Sequence, residues 1–294
     1  MLSKMLTSPL RYPGGKSRAI KNMRMLTPGR FREYREPFVG GGSFFVYLRQ
    51  VFPTLNTWIN DLKPELYCFW KQVQANSERL AAEVRRIRTT RDDGRELFIE
   101  LTSANTSELS ELERAVRFFV LNRIAFSGVV ESGGYSQSAF SHRFTESSIE
   151  RLAVLGRLLK GVRITCLDYR ELLADGDREI FTFLDPPYFA ATKSRLYGKK
   201  GILHTEFNHD EFASEMRRCR HSWLITYDDS PEIRANFDFA NIHSWELQYG
   251  MNNYKQGRAE KGKELFIANY RLDLPAALLN RHESQSATLQ LQLL

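Results

Sequence analysis

The tetrapeptide Asp185-Pro-Pro-Tyr188 has the most distinctive chemistry in the sequence, because it groups a carboxylate, bare carbonyls and an aromatic ring. Each proline removes a backbone N–H donor and stiffens the chain. A carboxylate and a carbonyl can accept the protons of an exocyclic amine, while the ring stacks on the base that carries this amine. The tetrapeptide directly follows the apolar run Ile180–Leu184, which predicts a buried strand. As a turn alone, it would need no function.

A second motif is the segment Arg35–Phe44, in which a short predicted strand leads into three glycines and a helix can begin at Ser43. Without Cβ atoms the glycine backbone can approach a ligand closely. Asp61 follows about twenty residues later, at the end of the next predicted strand, where doubly wound folds place an acid that accepts hydrogen bonds from ribose hydroxyls. A plain turn also explains the glycines, and a helix N-cap before Pro64 also explains Asp61.

A third motif, Arg11-Tyr-Pro-Gly-Gly-Lys-Ser17, contains a Gly-Lys-Ser sequence that suggests a phosphate-binding loop. That loop needs a glycine where this chain has Leu10, and it needs a preceding strand that is missing here. The Pro-Gly-Gly turn followed by Lys16 can instead present backbone N–H groups and an ammonium to a carboxylate.

The composition excludes several classes of protein. Of the 294 residues, 42% are hydrophobic and 26% are charged, which suits a soluble globular protein and not a disordered chain. No apolar run approaches the roughly 20 residues of a membrane-spanning helix, and the first residues do not resemble a secretion signal. The three cysteines and six histidines match neither a disulfide framework nor a metal site. We therefore expect a cytoplasmic protein with no metal.

Positive charge is concentrated near the motifs. Residues 1–36 contain nine Lys or Arg and two acids, which accounts for the entire net charge of +7. The segments Lys193–Lys200 and Lys255–Lys263 are also basic. These segments are either solvated loops or a surface that follows nucleic-acid phosphates.

Strand-like and helix-like patterns alternate, which indicates an α/β protein with a mainly parallel sheet. Strands are expected at 57–60, 162–167, 180–184, 223–226, 242–247 and 265–270, and helices at 64–80 and 209–220. About a hundred residues before Val162 instead have helical spacing, at 77–88, 95–102, 108–125 and 147–160, which predicts an inserted helical subdomain. The expected division is a discontinuous catalytic domain at 1–70 and 161–274, an insertion at 71–160 and a tail at 275–294.

In this order, the motifs resemble the Dam-type (class alpha) family of site-specific DNA adenine-N6 methyltransferases. The resemblance covers most of residues 10–271 and is strongest at Arg11–Lys16, Glu36–Phe44, Asp61 and Asp185–Tyr188. It implies a Rossmann-like α/β sheet that binds S-adenosylmethionine, with a mainly helical target-recognition insertion. It also implies methyl transfer to the N6 amine of adenine in double-stranded DNA, after the base has been flipped out of the helix.

The resemblance assigns a role to each motif. The target base would be held by the catalytic residues Asp185, Pro186, Pro187 and Tyr188. The cofactor would contact Tyr12, Gly15, Lys16, Glu36, Pro37, Phe38, Gly40, Gly42, Ser43, Asp61, Asp168, Tyr169 and Asp185, with Lys16 near its carboxylate. The expected DNA contacts are Arg11, Asn122, Arg123, Ser136, Gln137, Lys193, Arg195, Lys199, Lys200, Asn252, Lys255 and Arg258. Helix packing is the alternative role for Asn122 and Arg123.

Other functions fit the same motifs. The amine could belong to cytosine N4 or to an RNA adenine, and the protein could be a catalytically silent DNA-binding regulator. The intact Asp185–Tyr188 motif and glycine loop argue against the silent regulator. The family resemblance also implies a bacterial or phage-like setting and a possible restriction endonuclease partner, and we expect a monomer that does not bind membranes.

Overall fold

The computed structural model describes residues 5–12, 14–130, 133–189, 207–247 and 262–272. The strands are β1 (Glu33–Glu36), β2 (Asn56–Asn60), β3 (Arg163–Thr165), β4 (Ile180–Leu184), β5 (Ser222–Asp228), β6 (Asn241–Leu247) and β7 (Gly262–Ala268). The helices are α1 (Ile20–Met25), α2 (Ser43–Val51), α3 (Pro64–Thr90), α4 (Gly94–Ser103), α5 (Glu111–Ile124), α6 (Gln137–Arg143), α7 (Glu146–Leu158), α8 (Arg170–Leu173), α9 (His209–Arg218) and α10 (Pro231–Asn236).

The strands form one sheet in the order β3-β2-β1-β4-β5-β7-β6. Strands β1 to β5 are parallel, and β7 lies antiparallel between β5 and β6. All five residues of β4 are buried, as expected for a parallel strand with both faces of the sheet covered. The expected α/β fold with a Rossmann-like sheet is confirmed.

The position of the site follows from the strand order. The order reverses between β1 and β4, since β2 lies on the far side of β1 and β5 on the far side of β4. Ligands bind at such a switch point, beyond the carboxyl ends of the strands. The glycine motif leaves β1 and Asp185 leaves β4, so the topology brings the two motifs together at this edge.

The insertion is helical, and it grows out of a helix that packs beside the sheet. Helix α3 runs from Pro64 to Thr90 as two helical segments that meet at a kink at Asn76, which agrees with the two helices predicted at 64–80 and 77–88 apart from their exact bounds. It therefore crosses the expected boundary between residues 70 and 71. Helices α5 and α7 pack along α3.

No helix in the described ranges is long and apolar enough to cross a membrane.

Candidate active site

Asp185 lies at the carboxyl end of β4, where two neighbouring elements hold its carboxylate. The Thr226 hydroxyl, on the adjacent strand β5, donates a hydrogen bond of 2.7 Å to Oδ1 of Asp185. The Lys16 ammonium lies 3.0 Å from the same oxygen. The Asp185 side chain remains 23% exposed, so a ligand can reach it.

Lys16 is buried against the catalytic motif. A turn closed by a 3.0 Å hydrogen bond from the Gly15 amide to the Tyr12 carbonyl leads into the short 3-10 helix that Lys16 begins. The ammonium also donates to the Gly14 carbonyl at 2.8 Å and lies 4.7 Å from the centre of the Tyr188 ring. The described contacts of the Lys16 ammonium are therefore with the Gly14 carbonyl, Asp185 and Tyr188, and none of them is with the loop at Gly40–Gly42.

Glu264 is a buried carboxyl in this site that the sequence analysis did not identify. It lies on β7 opposite Asp228 of β5, on the same face of the sheet as Thr226. Its side chain is buried, and burial raises its pKa to about 7; Asp185 and Asp228 raise this pKa, whereas Lys16 and Tyr188 lower it. The predicted strand begins one residue later, at Leu265, because an acid next to an apolar run suggests a strand end.

The Tyr188 hydroxyl lies near Glu264, in a part of the site that excludes water. Burial, together with Asp185 and Glu264, raises the pKa of Tyr188 well above its usual value. The hydroxyl interacts weakly with the side chains of Thr226 and Glu264, but neither it nor the Glu264 oxygens make a hydrogen bond of good geometry within the described chain. The site therefore contains buried polar atoms with unused hydrogen-bonding capacity.

The three glycines form a close-packed turn over Tyr12. Gly40 and Gly42 have φ angles of +46° and +63°, a region that side chains disfavour. A Cβ atom on Gly41 would lie 2.7 Å from Cβ of Tyr12, and one on Gly42 would lie 2.8 Å from the Trp70 ring. Packing within the protein therefore already requires glycine at these positions, whether or not a ligand also approaches the loop.

Asp61 connects the glycine loop to the end of β2. Its carboxylate accepts hydrogen bonds from the Gly40 amide at 3.0 Å and from the Lys63 amide at 3.1 Å, and burial raises its pKa. The adjacent Asn60, which the sequence analysis did not assign a role, is also structural. Its buried amide donates to the carbonyls of Pro37 and Leu167 at 3.1 and 2.9 Å, which links the ends of three strands.

Glu36 ends β1 beside the first turn of α2. Its carboxylate accepts a 2.5 Å hydrogen bond from the Tyr34 hydroxyl and another from the Phe45 amide. These hydrogen bonds lower its pKa, but burial outweighs them and, with Asp185 and Asp61 nearby, raises it well above the usual value.

An aromatic wall lies on the other side of the glycine loop. The rings of Phe38 and Tyr169 are 5.5 Å apart, and both pack on Phe207 and Phe212. The Asp168 side chain is exposed at the edge of this wall and accepts a 3.0 Å hydrogen bond from a backbone amide. The wall offers a flat, apolar surface for a ring.

Two expected DNA contacts have scaffold roles in the structure. The buried Asn122 side chain bonds the Arg11 amide and carbonyl and the Gly128 carbonyl, at 2.7 to 3.0 Å. The buried Arg123 guanidinium donates to the carbonyls of Arg143 and Pro9. Because their donors are used on the backbone, the expectation that these side chains contact base edges is corrected in favour of helix packing.

The other DNA candidates fall into two groups. Ser136 caps α6, a helix that the glycine- and serine-rich sequence did not predict, and Gln137 is exposed at its first position. Arg11 is half-buried, with its guanidinium 3.2 Å from the Ala125 carbonyl. Seven candidates lie outside the described residues: Lys193, Arg195, Lys199, Lys200, Asn252, Lys255 and Arg258.

Within the described part of the chain, no group of three or more His, Cys, Asp or Glu side chains could hold a metal ion.

Known proteins match most of this chain. A family model described as D12 class N6 adenine-specific DNA methyltransferase matches residues 12–251. The type II methyltransferase M1.LlaDCHI of Lactococcus lactis is 23% identical over 88% of this chain and 94% of its own length. The type II methyltransferase M.MjaIII of Methanocaldococcus jannaschii is 26% identical over 69% of this chain and 75% of its own length.

The DNA adenine methylase of Haemophilus influenzae is 24% identical over 87% of this chain and 91% of its own length. A solved structure, the delta-N METTL16 MTase domain, has a TM-score of 0.36 and 7% identity over 87% of this chain and 80% of that one, which is too low to support an argument. The family model alone covers far more than half of the chain and includes the glycine loop, Asp61 and Asp185–Tyr188. The chain therefore belongs to the D12 class of N6 adenine-specific DNA methyltransferases.

Proposed function

We propose that this enzyme flips an adenine out of double-stranded DNA and methylates its N6 amine at Asp185–Tyr188, with S-adenosylmethionine bound between the glycine loop and the aromatic wall. The observation that carries the proposal is the position of the Asp185 carboxylate beside the Tyr188 ring, at the end of β4 and next to the glycine loop of β1. This is the switch point of the sheet.

The residues beside the glycine loop fit S-adenosylmethionine. The Asp61 oxygens each accept one backbone hydrogen bond and keep lone pairs for two ribose hydroxyls. The Phe38 and Tyr169 rings fit the adenine of the cofactor, with Asp168 at their edge. The left-handed backbone at Gly40 and Gly42 lets the chain pass close to the methionine part, near Glu36.

S-adenosylmethionine supplies a methyl group on a sulfonium, which an amine can attack directly. Asp185 would accept a hydrogen bond from one N–H of the target amine, and the Pro186 carbonyl would accept one from the other. These hydrogen bonds would draw the nitrogen lone pair out of ring conjugation, while Tyr188 stacks on the base. The amine nitrogen would take the methyl group as the C–S bond breaks, and its surplus proton would pass to the Asp185 carboxylate and from there to solvent. Positioning and electrostatics would supply most of the acceleration.

Arginines at the junction of the N-terminal segment and the insertion support phosphate binding. Burial, and then the nearby Arg11, Arg151 and Arg143, lower the pKa of Arg123 to about 9. Such a cluster of positive charge attracts the DNA backbone. Exposed Gln137, at the start of α6, remains our candidate for a base contact, with Ser136 beside it.

Nucleoside mass spectrometry tests the proposal. DNA is incubated with the protein and methyl-labelled S-adenosylmethionine, digested and analysed, with RNA as a parallel substrate. We expect label in N6-methyldeoxyadenosine only. Label in N4-methyldeoxycytidine would overturn the acceptor, label only in RNA would overturn the substrate, and measurable cofactor binding without label would favour a silent DNA-binding protein.

A further inference from the structure

Lys16 occupies the position that the proposed function gives to the target amine. Its ammonium is 3.0 Å from Asp185 Oδ1 and 4.7 Å from the centre of the Tyr188 ring. A flipped adenine needs the Tyr188 ring for stacking, and its amine must approach the Asp185 carboxylate, of which Oδ1 is already held by Thr226 and Lys16. The ammonium and the base therefore compete for the space between Asp185 and Tyr188.

A displaced ammonium needs another anionic partner, because a buried charge without a partner is strongly unfavourable. Lysine has a flexible four-carbon stem, so its charged end can move several ångströms while the backbone stays in place. The short helix that begins at Lys16 and the buried turn before it would hold that backbone. The question is which carboxylate can receive the ammonium.

Glu264 is suited to receive it. The carboxyl is buried, and apart from a weak interaction with the Tyr188 hydroxyl its oxygens make no hydrogen bond within the described residues. Buried polar atoms in native structures almost always have a partner, so a nearby group is expected to fill this position at some stage. Lys16 is close enough to lower the pKa of Glu264. The other nearby carboxylate, Asp228, already accepts a 2.8 Å hydrogen bond from the Phe189 amide.

We propose that Lys16 transfers its ammonium from Asp185 to Glu264 when the target adenine enters, so that Glu264 is a positioning residue for methyl transfer. The inference rests on the proposed function, since it takes the flipped adenine as the competitor. Glu264 acts through Lys16 and does not touch the reacting atoms. The exchange keeps the ammonium paired throughout and frees Asp185 to accept the amine proton.

The proposal predicts a pH dependence with a definite sign. Glu264 can receive the ammonium only when it is ionised, and its pKa is about 7. Base capture should therefore increase as the pH rises through 7 and decrease below it. The titratable and charged groups that face Glu264 are Lys16 from the N-terminal turn, Asp185 and Tyr188 from the loop after β4, and Asp228 from β5.

The test uses full-length protein and duplex DNA with 2-aminopurine next to the target adenine, so that the target keeps its amine, after the recognition site has been mapped by sequencing methylated DNA. The fluorescence of 2-aminopurine increases when its neighbour leaves the stack, so it reports flipping independently of methyl transfer. The variants are Glu264→Gln, Lys16→Met and the double variant. Glu246→Gln is the matched control, because Glu246 is an exposed acid on β6 opposite Lys263, and the alternation of side chains along the strand places it on the other face of the sheet from Glu264.

We expect Glu264→Gln to lower kcat/KM for DNA by about 10- to 100-fold, the usual effect of losing one charge-assisted contact. It should also remove the rise in flipping through pH 7, while Glu246→Gln keeps it. Lys16→Met leaves no ammonium to transfer. In that background the Glu264→Gln change should therefore alter flipping by less than about twofold, which is the signature of coupled residues.

Two results would overturn the inference. One is a Glu264→Gln variant that keeps the wild-type pH profile of flipping; the other is an equal effect of this substitution with and without Lys16. A merely structural role predicts the equal effect, and melting curves of each variant check the fold. Label transfer by the wild type tests the proposed function separately: if it transfers label to DNA adenine but its flipping does not vary with pH, only the present inference fails.

Discussion

The strand-end site and the helical insertion both bury polar side chains, but they use them differently. In the insertion, the Asn122 amide makes three hydrogen bonds to backbone atoms, and the Arg123 guanidinium is also bonded to carbonyls. In the site, the oxygens of Glu264 and the hydroxyl of Tyr188 are equally buried but lack hydrogen bonds within the described chain. Asn122 and Arg123 use their polar groups to hold the protein together, as Asn60 does in the site, whereas Glu264 and Tyr188 retain capacity that a ligand can use.

This difference is more informative than burial or residue type alone. Asn and Arg are the residues expected to read base edges, yet the two that the sequence offered most clearly are part of the scaffold. Glu264, near the start of a strand, was not predicted as a site residue, yet its carboxyl lies near that of Asp185. Asn122 and Arg123 differ from Glu264 in unused hydrogen-bonding capacity. Only the three-dimensional structure reveals this difference.

The largest expected effect is that of Asp185→Ala. Removing the carboxylate takes away the acceptor for the target amine, so kcat should fall by about a thousandfold or more. The substitution also takes the carboxylate partner from the buried Lys16 ammonium, so the melting temperature should fall by several degrees, and the rate is compared per folded enzyme. Label transfer and thermal melting of the same sample measure both quantities. Turnover at the wild-type level would show that Asp185 is not catalytic.

For Asn122→Ala we expect a loss of stability with little effect on the rate of methyl transfer. The substitution leaves the Arg11 amide, the Arg11 carbonyl and the Gly128 carbonyl without their partner, which should lower the free energy of unfolding by about 2 kcal/mol or more. Chemical denaturation measures this loss. Unchanged stability with altered sequence preference would restore Asn122 as a base-reading residue.

A smaller effect is expected at the cofactor side of the site. Asp61→Ala removes the proposed acceptor for the ribose hydroxyls and should weaken S-adenosylmethionine binding by about 10- to 100-fold, as for the loss of charge-assisted hydrogen bonds. Calorimetric titration without DNA isolates this effect. Equal binding by the variant would mean that Asp61 only holds the glycine loop.

The smallest effect is expected at Gln137, which is exposed on α6. Gln137→Ala should reduce discrimination at one base pair of the recognition site by about fivefold, at the lower end for loss of a base-edge contact, without changing the melting temperature. Sequencing of methylated random DNA measures the preference, and Ser138→Ala, the exposed neighbour, is the control. Identical preferences in all three proteins would place base readout elsewhere.

The sheet and most of the site could be predicted from the sequence because they depend on local patterns. Apolar runs such as Ile180–Leu184 predicted the strands, and glycines before a helix predicted the close turn at Gly40–Gly42. The two predicted helices correspond to the two segments of α3, which meet at a kink at Asn76, but the predicted bounds differ by a few residues because the polar residues around Asn76 do not mark the kink sharply.

Long-range contacts explain what the sequence could not predict. The contact of Lys16 with Asp185 joins residues that are far apart in the chain, and the position of Glu264 depends on its antiparallel pairing with Asp228. The scaffold role of Arg123 likewise depends on carbonyls of Pro9 and Arg143. No local pattern encodes these pairings.

A single-turnover time course of methyl transfer, run on Asp185→Ala and Asn122→Ala under the same conditions, tests the central comparison most directly. The amplitude reports the fraction of competent, folded enzyme, and the rate constant reports the chemistry. We predict that Asn122→Ala reacts at nearly the wild-type rate with reduced amplitude, whereas Asp185→Ala, at saturating cofactor, reacts at least about a thousandfold more slowly. A slow rate constant for Asn122→Ala, or a normal one for Asp185→Ala, would contradict the division between scaffold and site.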